Sequence, residues 1–145
     1  MNTSTTFSSN GSCFRLLALD TSGLVGNVLE PFLRRAGYEV EVATSADEAL
    51  QLSQFVRWDI VVLDLDIPGV NGLELYARML CHHDHDRLPV LFVSRMTNPT
   101  LQLGLQGADW ARLLHKPYDY RQFINCLNRC MQGAEAEVVG VQGEI

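Results

Sequence analysis

The chain lacks the features that would anchor it in a bilayer or export it. No apolar run approaches the roughly 18 residues that a membrane helix requires. The opening segment Met-Asn-Thr-Ser-Thr-Thr-Phe-Ser-Ser-Asn-Gly-Ser has neither the basic start nor the apolar centre of a secretion signal. Its polarity predicts a disordered tail over residues 1–13, and cytoplasmic residence is the expectation. Positive charge is also scarce. Eleven Lys and Arg against 17 Asp and Glu leave a net charge of −6, which removes the electrostatic footprint of a nucleic-acid binder. Cysteine is limited to Cys13, Cys81, Cys126 and Cys130, with no Cys-x-x-Cys pair. Cys126 and Cys130 share one helix face, and all four read as reduced thiols packed as small hydrophobes. No internal repeat occurs, and 145 residues suit one domain. The expectation is a single domain over residues 14–132 and a flexible tail over 133–145, with no output domain after the last helix.

Short apolar runs alternate with amphipathic ones. Leu16–Leu19, Tyr38–Val42, Ile60–Leu63, Val90–Val93 and Leu113–His115 read as strands. The spacing predicts helices over Leu24–Ala36, Ala46 to about Val56, Leu73–Cys81, Pro99 to about Gln106, and Tyr118–Met131. Pro31 marks a kink in the first helix. Gly37 stops that helix, and Ser45 with Glu48 forms a capping box for the second. Strict alternation of five strands and five helices predicts an α/β fold with a parallel sheet covered on both faces. Right-handed crossovers and the chain length point to the flavodoxin-like doubly wound (βα)5 order, 2-1-3-4-5.

Four of these strands end in a polar group. Asp20, followed by Thr21, ends the first; Asp64 ends the third; Ser94 ends the fourth; Lys116 follows the fifth. In the doubly wound order these ends lie side by side, at the edge where open α/β sheets bind ligands. Each group alone has an ordinary explanation: Asp20 as a helix cap, Ser94 as a loop start, Lys116 as a solvated cation. Their convergence favours chemistry. Two acids suit a hard cation such as Mg²⁺. The hydroxyl and the ammonium suit phosphoryl oxygens, and Asp64 is then a nucleophile able to form an acyl phosphate.

In register, Arg15-Leu-Leu-Ala-Leu-Asp20, Gly37-Tyr-Glu-Val, Asp59-Ile-Val-Val-Leu-Asp64-Leu-Asp66-Ile-Pro-Gly, Pro89-Val-Leu-Phe-Val-Ser94 and Lys116-Pro117 resemble the receiver domain of two-component response regulators. The resemblance covers about Arg15 to Met131, and its motifs are specific together rather than singly. It implies a phosphoacceptor at Asp64 and a metal-site acid at Asp20. It implies that Ser94 follows the phosphoryl group, that Lys116 pairs with it, and that a cis peptide falls at Lys116–Pro117. The implied cofactor is Mg²⁺. The implied partners are a histidine kinase or phosphotransfer protein and a downstream protein met on the face of the fourth helix, fifth strand and fifth helix.

Three positions depart from that pattern. Thr21 stands where the family has a second acid, the direct metal ligand, so Mg²⁺ binding should be weak. Arg95 stands where a small residue is usual, and its length suits covering the site or contacting the phosphoryl group. Leu113 replaces the aromatic switch. Asp66 offers a carboxylate that replaces the missing metal charge, pairs with Arg95, or is a solvated loop acid. His82-His-Asp-His85-Asp86 reads as a polar loop, with a weak metal site as the alternative.

The favoured function is a single-domain response regulator, a signalling domain rather than an enzyme. The departures motivate one alternative, a receiver-like interaction module that works without phosphorylation. A distant one is a haloacid-dehalogenase-like phosphatase. Leu63-Asp64-Leu-Asp66 resembles its nucleophile motif, and Ser94 and Lys116 suit its next two. That family needs a later acidic pair, and its nucleophile ends the first strand rather than the third.

Overall fold

The computed structural model describes residues 13–81 and 88–139, the side chains of 134–139 excepted. β1 (Phe14–Leu19) leads into a π-helical segment (Leu24–Leu29) that runs directly into α1 (Glu30–Arg35). Then follow β2 (Tyr38–Ala43), α2 (Ala46–Phe55), β3 (Ile60–Asp64), α3 (Gly72–Cys81), β4 (Val90–Ser94), α4 (Pro99–Gly104), β5 (Ala111–His115) and α5 (Tyr120–Val139). The strands pair in parallel in the order β2-β1-β3-β4-β5.

Every residue of β3 and β4 is buried, because helices cover both faces of a parallel sheet. The two-residue period of a strand divides the core into two layers. Leu16, Ala18, Ile60, Val62, Leu91 and Val93 meet Val25, Leu29 and Leu33 of the first helix and Phe123 and Leu127 of α5. Leu17, Leu19, Val61, Leu63, Val90 and Phe92 meet Ala49 of α2, Leu75 and Met79 of α3, and Leu101 of α4. β1 lies between β2 and β3, so the connections reverse direction there. The crevice beyond its carboxyl end is the topological switch point.

The helix boundaries depart from expectation: α4 ends at Gly104 rather than near Gln106, α5 begins at Tyr120 rather than Tyr118, and two further departures have a clear physical cause. Residues 24–35 are helical, but the first half is π-helical. Pro31 has no N–H and its ring crowds the carbonyl four residues back; a wider turn just ahead of it relieves that crowding. The chain leaves this helix through Gly37 at φ 98°, a left-handed conformation that glycine adopts without strain. α5 reaches Val139, well past Met131, and takes up the first residues of the expected tail. Gly133 does not stop it. A Cβ there would strike the Asp109 backbone, so the glycine lets α5 lie directly on the loop before β5. Residues 1–12 and 140–145 lie outside the described residues.

The capping box at α2 is offset by one residue. Ser45 Oγ accepts from the Glu48 N–H at 3.1 Å, but Glu48 Oε1 accepts from Thr44 rather than Ser45. Cys130 is buried, and burial pushes its thiol up to about 12. Cys126 is half-buried and burial raises it too, whereas Cys13 and Cys81 are exposed rather than packed. Among the described residues, no helix is long and apolar enough to cross a membrane.

Candidate functional site

The parallel register brings the strand ends together. Leu19 pairs with Leu63, Asp64 with Val93, and Ser94 with His115. Asp20, Asp64, Ser94 and Lys116 therefore share one edge of the sheet. Asp20, Asp64 and Ser94 are 6%, 5% and 4% exposed, a level at which an unpartnered carboxylate would be costly.

Each acid is satisfied differently. Asp20 Oδ1 accepts from the Ser22 N–H at 2.9 Å and the Ser22 hydroxyl at 2.7 Å. Its Oδ2 accepts from the Val25 N–H at 2.9 Å. Asp20 thus caps the first helix. Asp64 Oδ1 accepts from the Asp66 N–H at 2.8 Å, and Asp64 Oδ2 accepts from Lys116 Nζ at 2.9 Å. Asp66 meets the far side of the same lysine, with Nζ 3.2 Å from its Oδ2. Asp66 Oδ1 accepts from Ser94 Oγ at 3.0 Å and Oδ2 from the Arg95 N–H at 2.9 Å. Arg95 Nε lies 3.4 Å from Oδ2, its side chain largely exposed over the site.

The charges follow from this wiring. Burial alone would raise the Asp66 carboxyl, but the hydrogen bonds from Arg95, Ser94 and Lys116 and the lysine charge outweigh it and hold Asp66 below the usual range. Burial works against the Lys116 ammonium, yet Asp64 and Asp66 together raise its pKa.

All seven residues singled out in the sequence lie on this edge. Thr21 is exposed beside Asp20. Asp66 is not a solvated loop acid: its carboxylate faces Ser94, Arg95 and Lys116. The peptide between Lys116 and Pro117 is cis. Leu113 is half-buried on β5. The histidine segment 82–85 lies outside the described residues, and among those described no three His, Cys, Asp or Glu side chains group for a metal. The oxygen donors of Asp20, Thr21 and Asp64 nonetheless have the hard chemistry that suits Mg²⁺, which retains several waters and needs few protein ligands.

Two contributors were not singled out in the sequence. Ser22 supplies two hydrogen bonds to Asp20. Tyr118 stacks on Phe123, and burial, with the Asp20 and Asp64 carboxylates nearby, pushes its phenol up to about 12. The position of Tyr118 two residues after Lys116 was the available signal. An open cleft of about 560 Å³ leads to the site between the start of the first helix and the loop after β5, past Ser22, Asn27, Arg95, Lys116 and Tyr118.

Comparison with known proteins agrees with this arrangement. The transcriptional regulatory protein CrdR of Helicobacter pylori is 31% identical over 131 residues, which cover 86% of this chain and 58% of CrdR. A protein-glutamate methylesterase/protein-glutamine glutaminase of Bacillus licheniformis is 36% identical over 98 residues, 66% of this chain and 24% of that protein. The chain thus spans only part of the curated relatives it matches. The structure of the Vibrio cholerae chemotaxis protein CheY4 superposes with a TM-score of 0.72 at 26% identity, covering 82% of this chain and 99% of that one. The family model described as the response regulator receiver domain matches residues 16–128. With the sheet order, the strand-end acids and the lysine all in place, the chain belongs to the response regulator receiver family of two-component systems.

Proposed function

We propose that this receiver domain takes a phosphoryl group onto Asp64 from a phosphohistidine of a histidine kinase or phosphotransfer protein, as a step in a phosphorelay. One observation carries the reading: the buried Asp64 carboxylate is held at 2.9 Å by Lys116 Nζ, and Lys116 itself lines a cleft open to solvent. Lys116 offsets charge as the phosphoryl group approaches. An Asp64 oxygen bonds to phosphorus as the bond from phosphorus to the histidine nitrogen breaks. That nitrogen keeps the electron pair, and an acyl phosphate results. Ser94 Oγ and Lys116 Nζ are the side-chain donors for the phosphoryl oxygens. Asp20, Thr21 and Asp64 would hold Mg²⁺, which when bound offsets further negative charge. Two carboxylates there make that binding weak.

Within this domain, the face of α4, β5 and α5 is the route to a downstream protein. A shallow cleft there is lined by Gln102, Gln106 and Arg112, and Arg112 Nε is buried without a hydrogen-bond partner.

The test is incubation with Mg²⁺ and acetyl phosphate, read by intact mass. The expected result is a single phosphoryl adduct on the wild type and none on Asp64→Asn. An adduct that persists in Asp64→Asn defeats the assignment. Steady hydrolysis of a phosphate monoester would favour the phosphatase. A second reading, a module that works without phosphorylation, is favoured by Thr21 at the metal position. It gains if the wild type takes up no phosphoryl group.

A further inference from the structure

A phosphoryl group on Asp64 would draw on Ser94 Oγ, a neighbouring main-chain N–H and Lys116 Nζ. All three already serve the Asp66 carboxylate, at 3.0, 2.9 and 3.2 Å. The Asp66 side chain is 10% exposed, so these partners do most of the work of satisfying it. Ser94 Oγ also accepts from the Met96 N–H at 3.0 Å. A serine hydroxyl has one proton, and here it goes to Asp66. Ser94 at the end of β4 and Arg95 after it are therefore tied to the turn after β3 through one side chain, and Ser94 in turn holds Met96.

We propose that Asp66 is a resident occupant of the phosphoryl subsite. Its carboxylate holds Ser94, the Arg95 amide and Lys116 in the unmodified protein much as a phosphoryl group on Asp64 would hold them. The proposal rests on the reading of Asp64 as phosphoacceptor. The local geometry allows the arrangement because Asp66 lies two residues beyond Asp64, where the strand has given way to a turn, and its side chain returns to the edge that Asp64 faces. The substitution is imperfect, since a carboxylate has two oxygens and one charge, whereas a phosphoryl group has three oxygens and up to two charges. Two anions cannot share one donor set, so a phosphoryl group enters only as Asp66 leaves. Two consequences follow. The β4–α4 loop is already drawn toward β3 without phosphorylation, and Asp66 slows phosphorylation by competing for its donors.

The experiment compares wild type, Asp66→Ala and the nearly isosteric Asp66→Asn. Hydrogen exchange of the Arg95 amide and amide shifts of residues 94–98 are both measured on each protein with and without Mg²⁺ and beryllofluoride. Labelling by acetyl phosphate gives the rate. The expected result is that Asp66→Ala loses Arg95 protection and regains it with beryllofluoride, whose loop shifts then approach those of the unliganded wild type. Labelling of Asp66→Ala should be about tenfold faster, the equivalent of removing one competing charge-assisted hydrogen bond. Unchanged Arg95 exchange in both variants, or labelling no faster than wild type, overturns the proposal. If no protein takes beryllofluoride at Asp64, the phosphoacceptor reading fails, and exchange in the unliganded proteins still decides whether Asp66 holds the loop. Asp66→Asn keeps the side-chain volume, which preserves the test if Asp66→Ala folds poorly.

Discussion

At the Asp20 end of the site the carboxylate is held by its own loop, through Ser22 two residues on and Val25 five residues on. At the other end, the Asp66 carboxylate is held by Ser94 and Arg95, 28 and 29 residues away, and Lys116 reaches Asp64 across 52 residues. The first arrangement is a helix cap and needs only local structure. The second exists only when β3, β4 and β5 are in register. The difference separates two jobs. The Asp20 end keeps a shaped loop with one acid fewer than a strong metal site. The Ser94–Lys116 end keeps a full set of donors with an anion already in it.

The contrast breaks most visibly at Lys116. Lys116→Ala leaves Asp64 and Asp66 buried beside each other without their shared cation. Urea denaturation should show a loss of about 2–3 kcal/mol, together with loss of acyl-phosphate formation. A stability within error of the wild type would mean that the two carboxylates find other partners and that the long-range half is not coupled.

Restoring charge to the Asp20 end comes next in size. Thr21→Asp should tighten Mg²⁺ binding by on the order of tenfold, as a third charge near a divalent ion predicts, read by fluorescence or NMR titration. Equal affinity for both proteins would mean that another group already supplies the charge.

The effect of acid on Asp66 should be smaller. Its folded pKa is held below the ordinary carboxylate range by its hydrogen bonds and Lys116, so its contribution to stability is complete above the unfolded value. The contribution is lost as pH falls through the lowered folded value. The stability difference between wild type and Asp66→Asn should therefore shrink below about pH 4. A difference that is flat from pH 6 to pH 2 (a span on the order of the whole carboxylate range) rules out Asp66 as an ionised partner of Lys116.

The least effect belongs to the local cap. Ser22→Ala removes the hydroxyl's bond to Asp20 and its acceptance from the Leu24 N–H but leaves the Ser22 and Val25 main-chain donors, and should cost about 1 kcal/mol. A loss as large as that of Lys116→Ala would show that the Asp20 end is no more local than the other.

These differences also explain what the sequence made legible. The strands were readable because β3 and β4 are buried along their whole length and carry unbroken apolar runs. The convergence of Asp20, Asp64, Ser94 and Lys116 followed from strand order alone. The direction of the Asp66 carboxylate did not, because it depends on donors from β4 and β5 that no local pattern displays. Pro31 announced a disturbance in the first helix but not its form, since a kink and a π-turn both relieve the same clash. The far end of α5 was not legible because the residues from Gly133 carry no strong period, yet the helix runs on through that glycine where it packs against Asp109.

That last contact has a practical side for anyone seeking to harden the domain. Replacing glycine by alanine inside a helix is among the commonest stabilising substitutions, and Gly133 lies inside the 20-residue α5. Here the added methyl group would meet the Asp109 main chain, which has no rotamer to yield. A choice guided by helix propensity would thus pick a position where bare backbone must lie against bare backbone.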